Sequence, residues 1–400
     1  MVSHQFGSLL ILYDRSCINM TLELTINGNP LGQSGYAIHT NELSKALMAA
    51  GHDVSILPDG LPKNWQMMAH PKIREAIIQD GQFNKKNPFV MIKLADWWPT
   101  HFGDRLEKLI GFGVFEGTEV PYNWHKNAMD KRIHQLWTPS VHTKTAFYNA
   151  GLTNHIPDTD EFARKTKIIS HGINPKLFNP NVEPISDFDN PSDKYVFLFA
   201  GGWTQGKNDR KGLQFALKAF CEEFTAKDDV MFFVKINSCY APGQDVYSEL
   251  DKLELPPASE RPEIKIFTKD IPYEIMPAVY KCGDCIVQPT MAEGFNMCLA
   301  EAMACGLTAI TTNYGGQMDY CFQNNSMLVG SKMIPSPGQP KYLYEQCEWA
   351  EPSIPELRAH MRNCYENKDF ADKIGAKGAE FIHNNFTWAH TVAKIEEALK

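Results

Sequence analysis

Long apolar runs are missing from this chain of 400 residues. The stretch GSLLILY at residues 7–13 is too short to span a bilayer, and it lacks the basic flank and small-residue cleavage site of a secretory signal. A cytoplasmic chain with no transmembrane segment is therefore expected, with contact at a membrane surface left open. An excess of positive charge is missing too. Lys and Arg total 39 against 47 Asp and Glu, a net charge of −8, so the electrostatic footprint of a nucleic-acid binder is absent and no nucleic-acid partner is expected. The 10 cysteines follow no regular spacing, which argues against a disulfide framework and for buried thiols in a reducing compartment. CGDC at residues 282–285 has the spacing of half a zinc site, but no second pair accompanies it, and no metal is expected. Internal repeats and low-complexity segments are also lacking.

What remains is an ordinary globular composition, 43% hydrophobic and 22% charged. Its length exceeds what a single hydrophobic core organises, so two domains are expected. Short apolar runs alternate with helix-length amphipathic segments. Strands are expected at residues 22–26, 54–57, 89–94, 110–115, 136–138 and 167–170, then at 195–200, 230–236, 264–267, 285–288, 307–311 and 327–329. Helices fall between them, including one at 36–50 and one capped by Ser140. Alternation of this kind implies parallel sheets covered on both faces. It breaks down at residues 174–193, rich in Pro, Asn and Asp, which reads as the linker.

Three strings carry chemistry. NGNPLGQSGY at residues 27–36 follows the first strand and opens a helix, and its glycines, including Gly32 and Gly35, suit either an anion held at a helix N-terminus or a merely tight turn. In FLFAGGWTQGKNDRKG, Arg210 and Lys211 precede Gly212 at a strand-to-helix turn, with Lys207 just upstream. Cations held there can neutralise a diphosphate, whereas in isolation they would be a solvated loop. In MAEGFNMCLAEAMACG, Glu293 and Glu301 have seven residues between them. Gly294 allows close approach, the N–H groups of Phe295, Asn296 and Met297 stand at the positive end of a helix, and Glu301 is placed to accept hydrogen bonds from neighbouring ribose hydroxyls. The plain alternative is a solvated helix face.

The string AEGFNMCLAEAMACGLTAI resembles the hallmark of retaining GT-B glycosyltransferases, especially glycosyltransferase family 4 (glycosyl transferases group 1). WTPS (137–140), SHGIN (170–174), DRKG (209–212) and VYKCGDCIVQPT (279–290) fall where that family carries similar strings. The resemblance implies an α/β GT-B fold, two doubly wound Rossmann-like domains facing a cleft. Residues 20–180 would bind the acceptor, 181–385 the nucleotide-sugar donor, and 386–400 would form a helix crossing back to the first domain. Residues 1–19 are left as an N-terminal extension. The implied activity is hexosyl transfer, with retention, from a nucleoside diphosphate sugar to an acceptor hydroxyl such as that of a glycan. No cofactor and no metal are implied. Lys211 with Arg210 would hold the diphosphate and Glu293 the transferred sugar. The backbone from Gly294 to Met297 would contact sugar and phosphate, Glu301 the ribose, and the Gly32–Gly35 loop would close from the other domain.

Two departures qualify this pattern. Where relatives carry an arginine after the first strand of the second domain, this chain has Trp203, which places the phosphate clamp on Lys211, Arg210 and Lys207. Where they carry a histidine near the reaction centre, it reads GVFEGTEVPYNW, and Glu116 takes that place, with a plain loop acid as the alternative. LADWWPTHFGD offers Trp97 and Trp98 for stacking on an acceptor sugar, or for the core. Rival readings are a metal-dependent GT-A enzyme using DTD at 158–160, set against it because that string reads as a polar loop; a sugar phosphorylase or hydrolase on the same scaffold; and a nucleotide-sugar or carbohydrate binding protein without turnover.

Overall fold

The structure, a computed structural model, describes residues 21–400 apart from 100–101, 156–158, 187, 189, 191–192 and 237–245. The extension expected at 1–19 and Asp158 lie outside the described residues.

Each strand expected in the alternation is present. β1 (Glu23–Asn27), β2 (Asp53–Leu57), β3 (Pro88–Ile92), β4 (Lys108–Phe112), β5 (Ile133–Thr138) and β6 (Thr166–Ile168) form a parallel six-stranded sheet in the order β2-β1-β3-β4-β5-β6. β7 (Tyr195–Gly201), β8 (Val230–Ile236), β9 (Glu263–Phe267), β10 (Cys285–Gln288), β11 (Thr308–Thr312) and β12 (Met327–Val329) form a second, ordered β12-β11-β10-β7-β8-β9. β8 is buried at every position and β7 at all but its last. A parallel sheet covered on both faces demands such unbroken apolar runs. In each sheet the chain reverses its direction of travel next to the first strand, between β1 and β3 and between β7 and β10, and crevices open at such points beyond the carboxyl ends of the strands.

Caps set where the helices start. Ser34 accepts from the Ala37 N–H at the head of the Gly35–Ala49 helix, and Ser140 from Thr143 at the head of Val141–Thr153. The final helix, Trp388–Ala398, begins on a capping box between Thr387 and His390. It packs against the first sheet, where Trp388, Val392 and Ile395 join Leu24, Ile26 and Ile110 in one core, and the backbones of Ile173 and Thr387 bridge where the chain crosses back.

Two features differ from expectation. Residues Thr159–Lys165, taken as a polar loop, form a short helix, because Asp160 and Glu161 sit at its positive end and Arg164 and Lys165 at its negative end. An antiparallel hairpin, β13 (Ser331–Pro335) with β14 (Glu348–Pro352), leaves the second domain and docks on the first. Cys347 and Trp349 join Phe115 and Trp124 in the first domain's core, and the Glu348 N–H donates to Thr118 Oγ1 at 2.9 Å. No period marked this segment, because its outward face meets another domain instead of solvent.

Candidate active site

Between the carboxyl ends of the two sheets lies a cleft of about 650 Å³, walled by Gly32, Gly35, Tyr36, Glu116 and His171 on one side and by Gly201, Arg210, Lys211, Tyr273, Tyr280, Glu293 and Glu301 on the other. The strings that carried chemistry in the sequence therefore meet in one place.

The cations are held by a loop that the sequence leaves β7 to build. Asp209, buried in it, folds the backbone around its carboxylate: Oδ2 accepts from the N–H groups of Thr204 (2.6 Å) and Gln205 (3.0 Å), and Oδ1 from that of Lys211 (2.8 Å). Gly212 follows at φ +83°, and a Cβ there would lie 2.1 Å from the Pro289 carbonyl oxygen, so only glycine lets this loop reach the one after β10. The Met291 N–H donates to the Arg210 carbonyl at 2.8 Å and fastens the two loops together. Trp203 is buried and donates through Nε1 to Gly206, which shapes the loop and presents no charge to the cleft. Asp209 went unnoticed in the sequence beyond its place in DRKG; the signal available was an Asp two residues before the cation whose N–H it caps.

Across from it, Glu293 accepts both cations, Oε1 from Lys211 Nζ at 2.5 Å and Oε2 from Arg210 Nη1 at 2.9 Å. Arg210 Nη2 reaches on to Glu116 Oε1 of the first domain at 3.3 Å, and Tyr344 from the hairpin donates to Glu116 Oε2 at 3.3 Å. Burial pushes the Glu293 carboxyl up, but Lys211 and Arg210 together outweigh it and hold the group below its ordinary value. Burial pulls Lys211 down and Glu293 reverses this, so the ammonium stays charged.

Gly294 is pressed against the first domain, with its carbonyl accepting from Ser140 Oγ at 2.6 Å and a Cβ position 2.5 Å from Val114. Asn296 caps the Met297–Ala304 helix at φ +70°, its side chain accepting from Leu299. Among the described residues no acceptor takes the N–H groups of Phe295, Asn296 and Met297, which leaves them to the cleft at a helix N-terminus. Glu301 is buried deeper, where Oε1 accepts from Tyr273 (2.6 Å) and Oε2 from Tyr280 (2.7 Å). Burial raises its carboxyl to about 7, against the lowering effect of the two hydroxyls. From the opposite wall Gln33, in the Gly32–Gly35 loop, donates to the Ile271 carbonyl at 3.4 Å.

Three of the residues singled out stand elsewhere. Lys207 lies exposed on the short Gly206–Asn208 turn and does not line the cleft. Trp98 is wholly buried with its ring over Gly111 and Gly113, a core residue of the first domain, because the absent side chains there make room for an indole. Trp97 is 55% exposed and also off the cleft. Conversely, Tyr36, His39, His171, Tyr273 and Tyr280 reach or support the cleft without having been singled out, since nothing local marks a side chain that a distant strand brings to a ligand.

Comparison with known proteins bears on this geometry. No curated protein matches the chain by sequence. Among solved structures, it resembles sucrose-phosphate synthase from Thermosynechococcus elongatus (15% identity, 94% of this chain and 98% of that one, TM-score 0.65). A glycosyltransferase from Rickettsia africae is similar as well (18% identity, 95% and 100%, TM-score 0.65). So is HepE from Anabaena, solved in complex with UDP-glucose (13% identity, 94% and 99%, TM-score 0.63). Residues 194–340, which hold Arg210, Lys211, Glu293 and Glu301, match the sequence model of the family described as glycosyl transferases group 1, and the chain as a whole has the α/β GT-B fold of two sheets facing a cleft.

Proposed function

We propose that this chain is a retaining glycosyltransferase that moves a sugar from a nucleoside diphosphate sugar to an acceptor hydroxyl, with a glycan as the acceptor class. The observation that carries the reading is the run of charges Glu116–Arg210–Glu293–Lys211 across the cleft, flanked by helix N–H groups that have no acceptor among the described residues. Charge develops on the leaving diphosphate as the glycosidic bond breaks, and Lys211, Arg210 and the Phe295–Met297 amides stand ready to stabilise it. Without ligand, Glu293 occupies both cations. Binding a diphosphate would release its carboxylate toward the sugar hydroxyls, which makes Glu293 a residue of the reacting sugar and the cations residues of the leaving group. Glu301 would exchange its tyrosine hydroxyls for those of a ribose. The UDP-glucose bound by HepE makes a uridine donor the first to test.

In this reading residues 20–180 bind the acceptor, 181–385 bind the donor and 386–400 tie the two together. The eight free cysteines among the described residues support a cytoplasmic setting. Cations and helix ends supply the positive charge, so transfer needs no metal. The test is product formation from labelled nucleotide sugars with the anomeric configuration read by NMR. Tight donor binding without turnover in the presence of varied glycan acceptors would favour a binding protein.

A further inference from the structure

Behind the cleft wall two imidazoles face each other. His39, on the Gly35–Ala49 helix, is wholly buried between Phe112, stacked at 4.3 Å between ring centroids, and Trp388 at 5.5 Å. His171 follows β6, packs on Phe295 at 5.0 Å and lines the cleft. Their Nδ1 atoms are 2.7 Å apart, which requires a single proton between them. Burial holds both rings below their ordinary range, His171 at about 3, so both are neutral.

The shared proton could ride on either ring. On His171, it would leave His39 with its own proton on Nε2, an atom that is buried and has no hydrogen-bond partner among the described residues. An orphaned buried N–H is rarer and costlier than an unused lone pair. The proton therefore belongs to His39 Nδ1. His171 accepts at Nδ1 and keeps its proton on Nε2, which has no partner among the described residues either but belongs to a ring that lines the cleft, whereas His39 is wholly buried behind it.

We propose that His39 locks His171 as a neutral Nε2–H donor that hydrogen-bonds an oxygen of the bound nucleotide sugar, on the phosphoryl group or on the sugar. His171 is the contact residue and His39 a positioning residue; the contact rests on the donor reading above, whereas the lock is a property of the empty protein. Arg210 and Lys211 attract charge from many directions, while a fixed neutral N–H adds direction without more charge.

The test begins with ¹⁵N-histidine NMR of the ligand-free protein, assigned through His39→Asn and His171→Gln. The expected spectrum shows His39 protonated at Nδ1 and His171 at Nε2; the reverse assignment, or a mixture of tautomers, overturns the lock. Calorimetry with UDP and UDP-glucose then reads the contact. His171→Leu should bind about tenfold more weakly, and His171→Gln, whose amide N–H reaches similarly, should recover most of this. Loss seen already with UDP identifies a phosphoryl oxygen, and loss confined to UDP-glucose a sugar oxygen. His39→Leu should weaken binding by a smaller factor, with His39→Asn restoring it through an amide donor to His171 Nδ1. If His171→Leu binds both probes as the wild type does, the contact is refuted. A wild type that binds neither sinks the contact together with the uridine-donor reading, while the ligand-free spectrum still decides the lock.

Discussion

Lys211 Nζ and Glu293 Oε1 are 2.5 Å apart, an ion pair between the cation we propose for the leaving group and the acid we propose for the sugar. The pair is mostly out of water, with side-chain exposures of 26% and 6%, so each charge depends on the other until a ligand arrives.

Removing the acid should therefore separate stability, binding and turnover. Glu293→Ala leaves Lys211 and Arg210 short of their shared partner, at a cost of about 2 kcal/mol, and should lower the melting temperature of the ligand-free protein. Free nucleoside diphosphate should bind no more weakly than to the wild type, since it no longer competes with a carboxylate, while turnover falls at least tenfold. Pyrophosphate should raise the variant's melting temperature more than the wild type's. A variant that lost diphosphate affinity in step with turnover would contradict this.

If Glu301 holds the ribose as proposed, binding should depend on pH. Its carboxyl is raised from 4.5 to about 7, so between these values the folded protein keeps a proton that the unfolded chain has lost, and stability falls as pH rises through that window. Glu301→Gln removes this slope. Only the ionised acid can accept from both ribose hydroxyls, so UDP-glucose, whose phosphates do not titrate in this range, should bind about tenfold more weakly one unit below the carboxyl's value. Calorimetry from pH 6 to 8 should show the trend in the wild type and a flat profile in Glu301→Gln; a flat wild-type profile would remove Glu301 from the ribose site.

The loop that aims the cations should be as sensitive as the cations themselves. Asp209→Ala strips three backbone N–H groups of their acceptor and should cost about 2 kcal/mol along with most donor affinity, although Asp209 is not a wall of the cleft. Gly212→Ala meets both a positive φ and the Pro289 carbonyl, and should yield little soluble protein. Normal nucleotide binding by either variant would show that the loop is not what places Lys211.

On the proposed reading chelation should leave transfer intact, because Arg210, Lys211 and the Met297–Ala304 helix terminus would meet the diphosphate charge that a divalent ion meets in other enzymes. Activity lost to EDTA and restored by manganese would overturn this and reopen Thr159 and Asp160 with their neighbour Asp158 as metal-site candidates.

Much of this protein could be read along the chain. Runs such as β7 and β8 are apolar throughout because a two-sided parallel sheet buries every position, and that pattern needs no knowledge of partners. Glu293, Arg210 and Lys211 were visible for a related reason: each stands after a buried strand and just before a glycine that leads into a helix, with Glu301 in the helix that follows Gly294, so local chemistry already announced a strand-end site. The hairpin β13–β14 was not visible, since its apolar residues face Phe115 and Trp124 of another domain and follow no period of their own. Trp98 could be read as core or as sugar platform until Gly111 and Gly113 were seen beneath it.

The sequence by itself determined two doubly wound domains and which charged residues stand at strand ends, because strand and helix periodicity and turn chemistry act over a few residues. Tertiary structure alone decided that Glu116 joins Arg210, that two tyrosines occupy Glu301, and that His39 meets His171 across 132 residues of chain. Hydrogen bonds and ion pairs act over about 3 Å of space and are indifferent to separation along the chain, so only the closed fold brings such partners within reach.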